Sequence, residues 1–374
     1  MQIIQSQYLK GAWNPPLESS LQGSKWILAF GNRELLPDAL ENMQSQFPDA
    51  ILTAASTSGE IFADQVHENT VSLSIICFQK TKLKSAVSSC ADVHQSEEAG
   101  KKLGRELNAT DLKHIFVLSN GLTVNGTALT KAIQQEVGVG ISISGGLAGD
   151  GADFKKTEIF SNQIHGDDLI VAVGLYGDNV SVYCSAYGGW SPFGPTRLVT
   201  SSDGSVLNQL DNSSALVKYK EYLGEDAAGL PMNALLYPLL ITPEGSPRGM
   251  VRTVLAIDEN TSAMTFAGDI PQGSRAQLMR ANTDDLVDGA KIAADNALAG
   301  LELNPQLAIL VSCVGRKLLM KQRTEEEVEV VRDALGDQPY MTGFYSYGEL
   351  APMQKGGSCD LHNQTMTITL ICEK

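Results

Sequence analysis

The sequence has few aromatic residues, few histidines and few cations for its length. Aromatic residues make up 6% of the 374 residues, and His occurs 5 times. Lys and Arg total 28 against 43 Asp and Glu, which gives a net charge of −15. A field of that sign repels a phosphate backbone, so the sequence argues against nucleic acid as a partner.

Long apolar runs are also missing. Runs such as residues 169–173 and 234–241 end within about ten residues, whereas a helix that spans a bilayer needs roughly 20. The first ten residues contain no basic segment followed by an apolar one, so no signal peptide is predicted and the mature chain is expected to begin at Met1. These absences predict a cytoplasmic protein that makes no use of a membrane.

Motifs for metals and nucleotides are absent as well. The 6 cysteines include no C-x-x-C pair, and no H-x-x-H or H-E-x-x-H occurs, which argues against a disulfide framework and a zinc site. No Gly-Lys-Ser or Gly-Lys-Thr is present for a P-loop, and residues 146–151 have the wrong spacing for a dinucleotide loop. We therefore expect reduced, mostly buried thiols and no nucleotide cofactor.

The chain does contain alternating helical and extended patterns. A chain of this length favours two domains, and Gly at 35 of 374 favours many tight loops. Helices are predicted over residues 96–107, 127–137, 283–299 and 324–335, the last from a capping box at Thr324 and Glu327 with Gly336 just beyond its end. Strands rich in β-branched residues are predicted over residues 26–30, 51–54, 71–78, 115–118, 169–175, 180–186, 253–257, 307–312 and 366–371. The predicted fold class is α/β, with layered mixed sheets flanked by helices.

Three segments of the chain share one plan. Each has a glycine beside an acidic residue, then a turn with a histidine, then a strand, and each is preceded by a strand and a helix. The acidic residues are Glu60, Asp150 and Glu349, and the histidines are His67, His165 and His362. This repeat predicts an N-terminal extension over residues 1–24, an N-terminal domain of two units over 25–214 and a C-terminal domain over 215–374 that the third unit closes. Ser72, Ser74, Thr367 and Thr369 alternate with apolar neighbours, which predicts strands with one face toward solvent or a polar cavity.

The acidic glycine loops are the first candidate sites. A glycine permits close backbone approach, and the neighbouring carboxylate can bind a ligand amine or simply bond the following turn. Around the third loop, an apolar planar ligand would suit a short cluster made of Phe344, Tyr345, Tyr347, Met353 and His362. These residues can equally be ordinary strand and core residues.

Cys313 and Arg316 follow a predicted strand, where α/β proteins place functional groups. The thiol could be a nucleophile paired with His362, although buried thiols are common. The guanidinium could hold a ligand carboxylate or propionate, or could form a salt bridge to a surface carboxylate.

Five motifs in order resemble those of the FIST family, and the resemblance extends from about residue 26 to residue 370. They are residues 56–61, 145–150, 312–316, 343–349 and 362–365. The resemblance implies a FIST N domain followed by a FIST C domain and a sensory role in signal transduction. The first motif departs from the pattern, because Ala54 and Ala55 stand where the family commonly has Gly and Cys, so no thiol role is expected there.

The two-domain arrangement also resembles the stand-alone nitric-oxide-sensing proteins of the family, which bind haem b and act on a partner histidine kinase. That resemblance implies His362 as the proximal ligand of haem iron. Tyr345, Tyr347 and Glu349 would belong to the haem pocket, and Arg316 would pair a propionate. Nitric oxide would weaken the iron bond to His362 and shift a domain arrangement that the kinase, another signalling protein or a homo-oligomer reads.

Two other hypotheses remain open at the level of sequence. In the first, Glu60, Asp150 or Glu349 binds the ammonium group of an amino acid and Arg316 binds its carboxylate. In the second, Cys313 is the nucleophile of a hydrolase, whereas both sensor hypotheses predict a protein that is not an enzyme.

Overall fold

The computed structural model describes residues 1–17, 22–162, 164–354 and 356–374. The strands up to residue 89 are β1 (Gln2–Leu9), β2 (Ala12–Asn14), β3 (Ser24–Gly31), β4 (Ile51–Ser56), β5 (Glu60–Phe62), β6 (Gln65–His67), β7 (Val71–Phe78) and β8 (Lys82–Ser89). Those up to residue 187 are β9 (Leu112–Ser119), β10 (Ser142–Leu147), β11 (Ile159–Ser161), β12 (Ile164–Gly166), β13 (Leu169–Tyr176) and β14 (Val180–Tyr187).

The second half of the chain is also rich in strands. Those up to residue 280 are β15 (Ser191–Asp203), β16 (Val206–Leu210), β17 (Ser213–Ser214), β18 (Leu239–Thr242), β19 (Met250–Arg252), β20 (Val254–Asp258), β21 (Ala263–Phe266) and β22 (Arg275–Arg280). The last ones are β23 (Leu307–Cys313), β24 (Tyr340–Ser346), β25 (Gly348–Pro352), β26 (Cys359–His362) and β27 (Met366–Glu373).

Helices separate many of these strands. The α-helices are α1 (Leu36–Leu40), α2 (Met43–Gln46), α3 (Ser96–Leu107), α4 (Gly126–Val137), α5 (Ala215–Leu223), α6 (Thr283–Leu298), α7 (Val314–Met320) and α8 (Glu326–Leu335). Short 3-10 turns cover Val93–Gln95, Gly224–Gly229, Met232–Leu236 and Lys321–Arg323. None of the helices in the described ranges is both long enough and apolar enough to cross a membrane.

The three repeated units are confirmed as copies of one strand topology. In each unit the first two strands are parallel neighbours, namely β3 with β4, β9 with β10, and β23 with β24. The last strand of each unit, β7, β13 or β27, pairs antiparallel with the first. Each sheet therefore mixes parallel and antiparallel pairs, as the sequence predicts, and the helices lie against the sheets.

The units exchange their hairpins in a cycle. The β5–β6 hairpin of the first unit pairs with β24 of the third, with Thr342 opposite Phe62. The β11–β12 hairpin of the second unit pairs with β4 of the first, and the β25–β26 hairpin of the third unit pairs with β10 of the second. Each hairpin thus covers an edge that would otherwise leave backbone groups of a neighbouring sheet unpaired. The two halves of the chain are interlocked.

A fourth sheet is inserted between the second and third units. Its strand order is β19-β18-β22-β15-β16-β21-β20, with β17 paired to β16. Together with α5 it encloses a separate apolar core that includes Val199, Leu216, Phe266 and Leu278. This sheet brings β18 and β19 beside the third unit, where they border one of the clefts of the molecule.

The centre of the molecule is an apolar core shared by all three units. Phe30 of the first unit stacks on Phe344 of the third with ring centroids 4.5 Å apart, and Trp26 packs edge-on against Phe116 of the second. The prediction that Ser72, Ser74, Thr367 and Thr369 face solvent or a cavity is wrong, because all four are buried. Their hydroxyls form hydrogen bonds inside the core, for example Thr369 Oγ1 to Ser144 Oγ at 2.8 Å.

The predicted helices form where the sequence places them, but one predicted cap does not. Asn125 Oδ1 caps α4 by accepting from the Ala128 N–H, and Gly336 ends α8 with φ of 72°. Thr324, however, donates to the Lys321 carbonyl at 2.6 Å, and α8 has no side-chain cap. The expected capping partner, Glu327, turns into the protein interior, where a cation holds it.

Candidate functional site

Glu60 and Glu349 occupy matching positions in the first and third acidic glycine loops. Glu60 accepts from Thr57 Oγ1 at 2.7 Å and Thr70 Oγ1 at 2.8 Å. Glu349 accepts from Ser346 Oγ at 2.8 Å and Thr365 Oγ1 at 2.9 Å. In both units one hydroxyl lies three residues before the carboxylate and the other lies just before the next strand. Both side chains therefore join the loop to that strand, which is the structural role that the sequence left open.

Burial raises the pKa of both carboxyl groups. The pKa of Glu60 is raised to about 7 and that of Glu349 to about 8, because desolvation outweighs the hydrogen bonds from hydroxyl groups. Glu60 lines a cleft, so this cleft contains a carboxyl group whose pKa is raised toward neutral pH by burial. Such a group is a candidate for a functional role.

Asp150, in the second acidic loop, is bonded differently. Its carboxylate accepts from the backbone N–H groups of Phe154, Lys155 and Lys156 and from the Tyr347 hydroxyl. The Tyr347 ring stacks on Phe154 with centroids 4.3 Å apart. Asp150 thus orders the 150–156 loop and fixes it to the third unit.

Arg316 and Tyr345 meet at a buried carboxylate that the sequence analysis did not single out for this role. Arg316 Nη2 lies 2.8 Å from Glu327 Oε2, with both side chains fully buried. Tyr345 donates its hydroxyl to Glu327 Oε1 at 2.7 Å. The salt bridge foreseen for Arg316 therefore exists, but its partner is a core carboxylate of α8 and not one at the surface. Neither side chain is free to bind a ligand in this arrangement.

His362 is buried and bonded to its own hairpin. Its Nε2 lies 2.9 Å from the Ala351 carbonyl oxygen, and 4% of the residue is exposed. Burial lowers the pKa of the imidazole, which favours the neutral form, and a ring nitrogen that faces a carbonyl must carry the proton. That nitrogen has no lone pair for a metal.

These positions do not fit haem in the described arrangement. Two open clefts of the molecule, of about 660 Å3 and 500 Å3, are lined by none of the residues of the expected haem pocket. That pocket would consist of His362, Tyr345, Tyr347, Arg316 and Glu349. Each of these side chains is buried and already bonded within the protein, so none of them is free to contact haem in this arrangement. Groups of three or more His, Cys, Asp or Glu able to hold a metal ion are also absent from the described ranges.

Cys313 lies at the end of β23 as a buried thiol. It is 4% exposed, and burial raises the pKa of its thiol above the ordinary value. A thiol of this kind stays protonated at neutral pH, and the thiolate is the nucleophilic form. All six cysteines are free and buried, as the sequence predicts.

The candidate functional site is an open cleft of about 660 Å3 that we call the interdomain cleft. It lies where the 57–60 loop of the first unit, the 150–156 loop of the second unit and α7 of the C-terminal domain converge. Its lining is Asn32, Arg33, Glu34, Thr57, Ser58, Gly59, Glu60, Glu68, Asn69, Asp150, Gly151, Ala152, Asp153, Lys155, Lys156, Val314, Lys317, Leu318, Lys321 and Thr324. Two of the three acidic glycine loops therefore meet in one place.

Lys317 crosses the cleft from α7 to the first unit. Its ammonium group donates to the Ser58 carbonyl at 2.6 Å and pairs with Glu68. Gly59, with φ of +140°, allows this approach, because a Cβ there would lie 2.8 Å from Lys317 Nζ. Ser58 also donates to the Gly151 carbonyl at 2.9 Å, so the loop contacts both other units.

The charge of the cleft differs from that of the whole protein. Five cationic side chains line it, and two of them, Lys156 and Lys321, form no ion pair within the described residues. No His, Cys, Met or Tyr lines the cleft, so it offers none of the usual side-chain ligands of haem iron. The sequence analysis missed these lysines because they belong to different units and no motif relates them.

Two family models match this chain over most of its length. The FIST N domain matches residues 25–213 and the FIST C domain matches residues 215–352. An uncharacterized protein of Mycobacterium tuberculosis is 26% identical over 243 residues, which are 63% of this chain and 62% of that protein. An uncharacterized protein of Methanocaldococcus jannaschii is 24% identical over 353 residues, which are 87% of this chain and 65% of that protein. The matches thus span under two thirds of each relative. The chain belongs to the FIST family, whose domains sense small ligands in signal transduction.

Proposed function

We propose that this protein senses a small polar ligand with an acidic group, with amino acids as the first class to test, and that the ligand binds in the interdomain cleft. The observation that carries the proposal is the convergence of two acidic glycine loops and a C-terminal helix around one open, charged cleft. A volume of about 660 Å3 lies in the range of small-molecule sites.

The charges of the cleft suit a ligand with groups of both signs. Lys156 and Lys321 offer ammonium groups to a ligand carboxylate, since neither is held by a protein carboxylate. Asp153 and Glu34 offer carboxylates to a ligand ammonium group from the same lining, since they are paired only loosely, with Lys155 at 3.9 Å and Arg33 at 3.7 Å. This reassigns the amino-acid hypothesis, because Arg316 and Glu349 are buried elsewhere and Glu60 and Asp150 shape the cleft.

Lys317 supplies the route by which binding would become a signal. It joins the C-terminal domain to Ser58 and Glu68 of the N-terminal domain across the cleft. A ligand that competes for Lys317 or Glu68 changes the balance between two domain arrangements only by its difference in affinity for them. A histidine kinase or another signalling protein would read that change. In this proposal the protein acts as a sensor and not as an enzyme. The buried Cys313 thiol, whose pKa is raised, disfavours the hydrolase hypothesis.

The direct test is a thermal shift screen of the full chain against an amino-acid panel. A ligand at 100 times its dissociation constant should add about 2.7 kcal/mol to the free energy of unfolding. The variant Lys156→Ala/Lys321→Ala should lose this shift. The matched control Lys82→Ala/Lys218→Ala, which removes the same charge elsewhere, should keep it. An equal response in both double variants would contradict the proposal.

Haem b binding and nitric oxide sensing stay predictions of the family resemblance. They are tested by the absorption spectrum of the protein after mixing with haem, beside the variant His362→Ala. A Soret band that depends on His362 would require this hairpin to open, because Nε2 is bonded to Ala351. From the buried position of His362 we expect the two spectra to be the same.

A further inference from the structure

A second cleft contains a buried arginine that no carboxylate contacts directly in the described structure. Arg252, at the end of β19, is 4% exposed and has no carboxylate within ion-pair distance among the described residues. Its Nη1 donates to the Leu361 carbonyl at 2.9 Å and its Nε to the Asp269 carbonyl at 3.3 Å. In the described ranges Nη2 forms no hydrogen bond.

Arg316 provides a contrast within the same molecule. Arg316 is equally buried, but Glu327 neutralises it through two hydrogen bonds. Arg252 donates its hydrogen bonds only to carbonyl groups. Burial lowers its pKa to about 10, against the opposing effect of the nearby Asp269 and Asp360 charges, so it stays charged at neutral pH. Asp269 and Asp360 act on this charge only from beyond ion-pair distance, so Nη2 remains available to an anion that binds closer.

Arg252 lines an open cleft of about 500 Å3, which we call the arginine cleft. The cleft is bounded by α4 of the N-terminal domain, by β18 and β19, and by the β25–β26 hairpin. Its lining is Thr127, Lys131, Ile241, Pro243, Ser246, Arg248, Gly249, Met250, Arg252, Asp269, Pro271, Met353, Gln354, Gly357, Ser358 and Asp360. Met353, which the sequence analysis grouped with His362, lies here without it.

The N-terminus of α4 adds a second positive element to this cleft. Thr127 is the second residue of this 12-residue helix, and its Oγ1 is buried without a hydrogen-bond partner. The unpaired N–H groups and the dipole at a helix N-terminus favour an anion. Lys131 on α4 and Arg248 add exposed cations at the rim.

The carboxylates of the cleft act on Arg252 from a distance and leave its Nη2 without a hydrogen bond in the described structure. Asp269 Oδ1 accepts from Asn125 Nδ2 at 3.0 Å, which holds it beside the cap of α4. Neither Asp269 nor Asp360 forms an ion pair with Arg252 in the described structure, although both lie in the lining. The remaining lining includes Met250, Met353 and Ile241, which provide an apolar wall.

We propose that the arginine cleft binds the oxyanion group of a small organic acid whose apolar body packs against Met250 and Met353. Nη2 of Arg252 and Oγ1 of Thr127 bind the oxyanion, and Lys131 and Arg248 attract it. This site is separate from the interdomain cleft and does not depend on the proposed function there. Because α4 belongs to one domain and β19 to the other, a bound anion connects the two domains at a second position, besides the interdomain cleft.

The test is isothermal titration calorimetry on the full chain with hexanoate, its neutral analogue hexanamide and inorganic phosphate. We expect hexanoate to bind and hexanamide not to bind. Binding of phosphate alone would keep the oxyanion site but overturn the apolar contact. Equal binding of hexanoate and hexanamide, or no binding of any anion, would overturn the proposal.

Two variants separate this site from a general effect of charge. Arg252→Met should weaken hexanoate binding by at least about tenfold, since it removes a charged hydrogen-bond donor. Thr127→Val removes a hydroxyl that has no partner, so it should fold normally and weaken binding several-fold. Unchanged affinity in Thr127→Val and Arg252→Met would argue against the site.

The Lys156→Ala/Lys321→Ala variant serves as the control for the interdomain cleft. It should bind hexanoate like the parent protein, whatever the result of the amino-acid screen. Loss of hexanoate binding in this variant would show that the anion binds in the interdomain cleft, and would thereby overturn the assignment to Arg252.

Discussion

The ion pairs formed by individual arginines differ in burial, so their contributions to the free energy of unfolding should differ as well. Arg316 is fully buried against Glu327, whereas Arg323 pairs with Glu326 and Asp284 at the exposed surface. We expect Arg316→Met to lower the free energy of unfolding by about 3–5 kcal/mol, because it leaves Glu327 buried and unpaired. The matched variant Arg323→Met should lower it by less than about 1 kcal/mol. Urea denaturation measures both, and similar losses would contradict the contrast.

Two buried carboxyl groups should make stability depend on pH. The pKa values of Glu60 and Glu349 are raised to about 7 and 8, so the folded state binds more protons than the unfolded state between about pH 4.5 and pH 8. Stability from this source is present at low pH and is lost as pH rises through that window.

The parent protein should lose free energy of unfolding between pH 5 and pH 8 as Glu60 ionises. Glu60→Gln should remove this loss, which is on the order of 2–3 kcal/mol. Glu349→Gln should have an effect of the same sign. The exposed Glu302→Gln should leave the pH profile unchanged. Denaturation curves at several pH values would reveal parallel profiles for all three variants if the reasoning is wrong.

At the scale of elements, β10 depends on a close approach of backbones. Gly145 has φ of +146°, and a Cβ there would lie 1.8 Å from the Val117 carbonyl oxygen of β9. The same residue pairs with Leu350 of the incoming hairpin. β10 therefore has no room for a side chain at this point, because a strand pairs with it on each side.

We expect Gly145→Ala to lower the free energy of unfolding by about 3 kcal/mol or more, since backbone on both sides must shift. Gly140→Ala is the control, because no atom lies within 4 Å of a Cβ at that position. Thermal unfolding followed by circular dichroism distinguishes the two variants. A stable Gly145→Ala protein would mean that the sheet adapts more readily than its packing suggests.

At the scale of the whole molecule, the exchanged hairpins make each half depend on the other. Without residues 215–374, β10 loses the β25–β26 hairpin and the β5–β6 hairpin loses β24. We expect fragments 1–214 and 215–374 to lack a cooperative thermal transition when alone, and to recover one when refolded together. Calorimetry of the fragments measures this. A fragment that melts on its own at the temperature of the full chain would contradict it.

Features that depend on local interactions could be predicted from the sequence, whereas features that depend on contacts between distant segments could not. The bounds of β7 and α3 were predicted to the residue, because β-branched alternation and helical periodicity are local signals. The repeat was visible because each copy keeps an acidic glycine loop and a histidine turn. The capping box at Thr324 failed for the opposite reason: Glu327 gains more from the buried Arg316 than from a helix end.

The candidate site shows the same division. Glu60 and Asp150 were identified from their loops, but Lys156, Lys317 and Lys321 carry no motif and meet only through the three-unit assembly. Arg252 likewise gave no signal, since nothing in the local sequence distinguishes a buried arginine from a surface one.

The sequence by itself determined the class of fold, the threefold repeat, the reduced thiols and the membership of the family, because each depends on patterns within short stretches of chain. The tertiary structure decided the exchange of hairpins, the burial of His362 and Arg316, and the position of both clefts. Those depend on which distant segments pack together, and desolvation and charge pairing at such contacts can be assessed only once the contacts exist.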